Sequence, residues 1–105
     1  MRKFTKYRIV FLTAITLSYS VSQAQLVNVY GVVDCGVWVQ EKRAPDRAWL
    51  LGFMSGLNFD VVGNPLSKIN SVQQIFLWMD NYCMKNPLGN LVVGGRELLD
   101  ELKKR

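Results

Sequence analysis

Only two cysteines occur in this chain, Cys35 and Cys83, and a bond between them would enclose most of the residues available for a core. The residues ahead of them read as a leader. Arg2, Lys3, Lys6 and Arg8 make a basic start, residues 9–21 are uncharged, and Ser22-Gln23-Ala24 puts small residues at the two positions a signal peptidase reads. The uncharged run is shorter than the roughly 18–20 residues of a membrane-spanning helix, and no cysteine sits near Ala24 to accept a lipid. Residues 1–24 are therefore expected to be a signal peptide cleaved after Ala24, with no stable membrane anchor left behind. Residues 25–105 remain as one domain in the periplasm.

A domain of that length buries only about 60–65% of its unfolded surface, and exported domains of this size commonly add disulfides. An even cysteine count in an oxidising compartment suggests a single Cys35–Cys83 bridge. Closing that loop contributes roughly 4 kcal/mol in the chain-entropy picture. The competing reading is a reactive thiol with a spare partner.

Charge and absent residues narrow the function classes. The chain has 13 Lys plus Arg against 8 Asp plus Glu, but four of the basic residues lie in the leader. The mature balance is 9 against 8, or +1, so the pI near 9.5 belongs mostly to a discarded segment. A nucleic-acid partner, which needs a basic patch, is not expected. The one basic cluster left, Lys103-Lys104-Arg105, suits the partly negative end of a helix. With no His there is no Ser-His-Asp or Cys-His arrangement and no ordinary proton shuttle near neutral pH. Gly52-Phe53-Met54-Ser55-Gly56 has its serine in the wrong place for a nucleophile elbow. Carboxylates are present at Asp34, Glu41, Asp46, Asp60, Asp80, Glu97, Asp100 and Glu101. None forms a visible metal-ligand cluster, and Asp80, Asp100 and Glu101 fall on expected helix surfaces. The expectation is a binding protein without catalytic residues, metal or cofactor.

Periodicity predicts four helices. Residues 26–33, rich in Val and Tyr, read as extended. Asp34 can cap a short helix over 34–43, with Cys35, Trp38 and Val39 on one face; a strand competes there because of the Val content. Ala44-Pro45-Asp46 interrupts the chain, and Asp46 can cap a second helix over 47–58. Trp49, Leu50, Phe53, Met54 and Leu57 form its apolar side. Ala48, Gly52, Ser55 and Gly56 form a strip of small residues, expected to admit a neighbouring helix. Residues 59–70 lack helical periodicity, contain the turn signal Gly63-Asn64-Pro65, and make the longest connection. Connections of that length are often functional, although a plain surface turn reads equally well. Ser71 can cap the third helix, whose stripe is Val72, Ile75, Phe76, Met79, Tyr82 and Cys83. Leu77 and Met84 fall on its far side, either packed under the long connection or forming a partner-binding patch. After Asn86-Pro87-Leu88-Gly89-Asn90, the stripe Leu91, Val92, Leu98, Leu99 and Leu102 marks a fourth helix. Gly94 and Gly95 inside it point to tight packing or an irregular start. Asp100 with Lys104, and Glu101 with Arg105, are favourable pairs on its exposed side.

Three segments carry a resemblance. They are Asp34-Cys35-Gly36-Val37-Trp38, then Trp49-Leu50-Leu51-Gly52-Phe53-Met54-Ser55-Gly56-Leu57-Asn58, then Trp78-Met79-Asp80-Asn81-Tyr82-Cys83-Met84-Lys85-Asn86-Pro87-Leu88, followed by a Leu-rich final helix. Together they resemble the Rap/Tai immunity family of small exported bacterial proteins, which neutralise peptidoglycan amidase toxins delivered by type VI secretion. The resemblance implies an all-α, four-helix domain with a disulfide from its first helix to the helix ending in Tyr-Cys. It also implies a cognate amidase as partner, plugged by a protruding segment. The nominated contact residues are Phe59, Asp60, Val61 and Asn64 in the long connection, with Leu77 and Met84 beside it. The alternatives are an acid-stress chaperone of the HdeA type, an envelope protein with an unrelated partner, and self-association as a homodimer.

Export is the expectation on which the rest stands. N-terminal sequencing of the protein recovered from the cell envelope should return Gln25 as its first residue. A stable cytoplasmic product beginning at Met1 would contradict it.

Overall fold

The computed structural model describes residues 28–105; the expected leader and its cleavage site lie outside these. The elements follow in the order α1 (Cys35–Glu41), α2 (Ala44–Phe59), a 3-10 turn (Pro65–Lys68), α3 (Val72–Lys85) and α4 (Leu91–Lys103). The described chain is all-α, with four helices tied by one disulfide.

Residues 28–33 form an irregular run that turns at Gly31. Gly31 has φ +80°, and a Cβ there would stand 3.0 Å from the Trp49 indole nitrogen. That same indole N–H donates to the Tyr30 carbonyl at 2.8 Å. Among the described residues, the extended tendency survives as an isolated antiparallel bridge between Asp34 and Asn90. Two backbone bonds frame it: Cys35 N–H donates to Gly89 O at 2.9 Å, and Leu91 N–H donates to Val33 O at 3.1 Å. The bridged residues are also the N-caps of α1 and α4. Asp34 Oδ1 accepts from Val37 N–H at 3.0 Å, and Asn90 Oδ1 accepts from Val92 and Val93 N–H at 2.9 and 3.0 Å. Each cap satisfies N–H groups that have no partner inside their own helix.

α2 starts earlier than its sequence suggests. Pro45 sits in the first turn, where its missing N–H costs no helical hydrogen bond. Asp46 is consequently inside the helix and caps nothing. It is buried, and Arg43 clamps its carboxylate through Nε at 2.8 Å and Nη2 at 2.9 Å. α3 follows its expected pattern closely. Ser71 and Gln74 form a reciprocal capping box, and Ile75, Phe76, Met79, Tyr82 and Cys83 are buried. Val72, the first residue of the predicted stripe, stays exposed.

α1 lies along α3, and Cys35 bonds Cys83 with 4.9 Å between their Cα atoms. Trp38 adds a second tie: its indole N–H donates to Asp80 Oδ1 at 2.8 Å while its ring leans on Phe76. From α2, the Arg47 guanidinium sits 5.0 Å from the centre of the Phe76 ring. α4 packs on α2, α3 and the 3-10 turn, so its buried Leu91, Leu98, Leu99 and Leu102 complete the core.

Glycine divides into opposite uses. A Cβ at Gly94 would stand 2.7 Å from Met79 Sδ and 2.8 Å from Tyr82 Cδ2; one at Gly95 would stand 3.0 Å from Met54 Sδ and from Phe53 Cε2. These two let α4 approach α3 and α2. The strip on α2 admits no helix: a Cβ at Gly52 or Gly56 meets nothing within 4 Å, and Ala48 and Ser55 are exposed beside them. On the outer face of α4, Glu101 pairs with Arg105 as the spacing predicts, whereas Asp100 pairs with Lys103 and not with Lys104.

Two predictions follow from this packing. Replacing Cys35 or Cys83 by Ser should lower the unfolding free energy by about 2–5 kcal/mol in denaturant titration, with no change in stability when the wild type is first reduced serving as the contrary result. Gly52→Ala should stabilise by roughly 0.5–1 kcal/mol, because an exposed helix interior gains propensity without a clash. Gly94→Ala should destabilise by about 1–2 kcal/mol, since overpacking against Met79 and Tyr82 exceeds that gain. Equal thermal shifts of the same sign for the two variants would refute the packing described.

Candidate partner-binding surface

The connection between α2 and α3 begins as a continuation of helix. Phe59 is the last residue of α2 and Asp60 its C-cap. The chain then turns through Gly63 at φ +95° and Asn64 at φ +47° before Pro65 opens the 3-10 turn. Two successive left-handed residues are tolerated because glycine lacks a Cβ and asparagine can bond locally. That local bond comes from Asn58, whose Nδ2 donates to Asn64 Oδ1 at 2.8 Å while its Oδ1 accepts from Leu66 N–H at 3.0 Å. One side chain thus fastens both sides of the turn. Farther along, Lys68 Nζ donates to the Leu102 and Arg105 carbonyls at 2.8 and 2.6 Å, which ties the 3-10 turn to the end of α4.

The tip so held is apolar. Phe59 is 87% exposed and Val62 96% exposed. Asp60 between them and Asn64 just after them are exposed, while Val61 is half-buried and packs against the core. Val62 was missing from the sequence-based candidates although it adjoins Val61, because sequence alone does not tell which of two adjacent valines turns inward. Asn58 was missed for another reason: its role exists only once Asn64 and Leu66 are brought back to it.

Leu77 and Met84 do not pack under the connection. They remain 60% and 68% exposed, seven residues apart on the outer face of α3. Leu77 lines a hollow with Lys68 and Ile69, next to the second half of the connection. Met84 lines a separate hollow with Val39, Pro87 and the disulfide. The fully exposed Leu88 stands in the turn after α3, next to Pro87 of that hollow. The nominated residues thus divide among the Phe59–Val62 tip, the Leu77 hollow and the Met84 end.

Four of the eight carboxylates are committed to holding the fold. Asp34 caps α1, Asp46 accepts Arg43, and Asp80 accepts Trp38. Glu101 accepts from Trp78 Nε1 at 3.1 Å and from Arg105. These two donors, Trp78 first, hold the Glu101 carboxyl below its ordinary value against a smaller opposing effect of burial. Burial, with a lesser contribution from Glu97, pushes the Tyr82 hydroxyl up, so the phenol is neutral at pH 7. Among the described residues, no group of three His, Cys, Asp or Glu side chains is placed to hold a metal ion, and no helix is long and apolar enough to cross a membrane. The chemistry this surface offers is contact through exposed apolar side chains on a fastened turn. No protein-family model, curated protein or solved structure matches the chain.

Proposed function

We propose that this chain is an exported immunity protein that binds and inhibits a cognate peptidoglycan amidase, with the Phe59–Val62 tip as the main point of contact. The observation that carries the reading is the pairing of large apolar exposure at Phe59 and Val62 with a backbone already fastened by Asn58. A preformed turn loses less conformational freedom on binding than a slack one, so more of the contact energy appears as affinity. The resemblance of the Asp34-Cys35, Trp49–Asn58 and Tyr82-Cys83 segments to the Rap/Tai immunity family supplies the class of partner. Asp60 and Asn64 flank the apolar side chains with polar groups, in keeping with the polar rim of protein interfaces.

The disulfide fits the same reading, since a two-cysteine domain tied between α1 and α3 suits an oxidising compartment such as the periplasm. The near balance of charge in residues 25–105 makes long-range steering weak, so affinity would rest on the fit of the tip.

The test is pull-down of the envelope amidases of the source cell with the purified protein, followed by calorimetry on any complex. Phe59→Ala combined with Val62→Ala should weaken the complex at least tenfold, in the range of interface hot spots, while helical circular dichroism stays unchanged. Leu88→Ala, equally exposed but distant in sequence from the tip, should leave affinity within twofold. If no amidase is retained, the immunity assignment falls; if Leu88→Ala alone breaks a complex, the contact surface is misassigned.

A further inference from the structure

Trp78 lies at the junction of three hollows along the seam of α3 and α4, of about 240, 320 and 330 Å³, all of which share Trp78 and Glu101. None is lined by Phe59 or Val62, so this region is separate from the tip. The ring is held from two directions. It stacks on Tyr82 with centroids 5.6 Å apart and planes 8° apart, and its N–H donates to Glu101, which Arg105 anchors in turn. A half-buried indole fixed in this way lines all three hollows and is already ordered, so contact with it costs little further side-chain entropy.

The surrounding groups are polar and mixed. The hollow nearest the end of α3 brings Asn81, Lys85 and Asn86 opposite Glu97 and Glu101. Amide groups and an ammonium therefore stand across the seam from two carboxylate acceptors. The hollow on the other side of Trp78 adds Gln74, Lys68 and Arg105. Positive and negative side chains both occur around the ring, so neither an anion nor a cation would find a field of one sign. A wholly apolar ligand would cover these polar groups without satisfying them, which is costly. The ligand that suits both the ring and its border is neutral, has an apolar face to lie on an aromatic plane, and carries groups that both donate and accept. Sugar rings have these properties: axial C–H bonds on one face and hydroxyls around the edge.

We propose that the Trp78 seam between α3 and α4 is a binding site for a neutral oligosaccharide, with one sugar ring on the indole and its hydroxyls bonded to Asn81, Glu97 and neighbouring side chains. Because the hollows are open and adjoin one another at a single ring, the site accommodates a short run of sugars better than a single one. The proposal stands apart from the immunity reading, since it uses none of the tip residues and requires no amidase.

The experiment is a nitrogen–proton NMR titration of the disulfide-bonded protein with cellotriose and, in parallel, the N-acetylglucosamine trimer. Adenosine and spermidine serve as aromatic and cationic comparison probes. The expected result is saturable shifts of the Trp78 indole N–H and of amides in residues 78–86 and 97–104 with at least one sugar. Asn81→Ala and Glu97→Gln, both at exposed positions, should each weaken that binding at least fivefold without altering the rest of the spectrum. Trp78→Ala should abolish it, and the two milder variants keep the test decisive if Trp78→Ala misfolds. Absence of shifts with both sugars up to their solubility, shifts unaffected by Asn81→Ala and Glu97→Gln, or a response to adenosine or spermidine alone would each overturn the proposal.

Discussion

Cys35 is held by its backbone and its side chain at once. Its N–H donates to Gly89 O at the Asp34–Asn90 bridge, and its sulfur is bonded to Cys83. The starts of α1 and α4 and the end of α3 are thereby gathered at one point. α1, with seven residues, is too short to persist unaided; it exists because a cap, a disulfide and the Trp38–Asp80 hydrogen bond fix it to α3. The turn over 86–90 is shaped by the same junction, since Gly89 both receives the Cys35 N–H and lies close to Tyr82 and Asn86. With α1 and the start of α4 located, the leucines of α4 have only one surface to meet.

α4 serves the core from its other end as well. Gly94 and Gly95 allow Met79, Tyr82, Met54 and Phe53 to approach its backbone, while Leu98, Leu99 and Leu102 fill the space below. Its final carbonyls receive Lys68 from the 3-10 turn, which supplies a cation where the helix is partly negative. The segment least regular in sequence is thus secured by the helix that comes last in the chain.

How much of this could be read in advance depends on the range of the interactions involved. α3 was legible because its signals are local: Ser71 as a cap at the start and apolar residues at helical spacing, to which the structure adds Gln74 as the reciprocal partner of Ser71. The disulfide was legible because two cysteines allow one pairing. The start of α2 was misplaced because Pro45 reads equally as a breaker and as a first-turn residue, and the Arg43–Asp46 clamp that favours the latter is a side-chain event. The small residues of α2 looked like a helix-packing strip since sequence spacing shows which residues share a face without showing what that face meets. The 3-10 turn was not foreseen at all. It rests on Asn58 and on the far end of α4, and neither announces itself in residues 59–70. Phe59, Asp60, Val61 and Asn64 were grouped by their place in the connection; in the fold Phe59 closes α2 and Val61 packs against the core. Leu77 and Met84 joined that group through helical phase alone, and the fold gives them different neighbours.

The construction of the tip has a consequence for how a chain like this can diverge. Its path is determined by Asn58, Gly63, Asn64 and Pro65, none of which is among its projecting apolar groups, and its anchor is a lysine on backbone carbonyls. Backbone acceptors do not change when side chains do. Phe59, Asp60 and Val62 can therefore be exchanged for other residues with little consequence for folding, so that the path of the turn and the identity of its exposed groups are inherited separately. Selection could rewrite these projecting letters while the grammar of the turn stays constant, and the same separation makes the tip a natural place to graft new side chains.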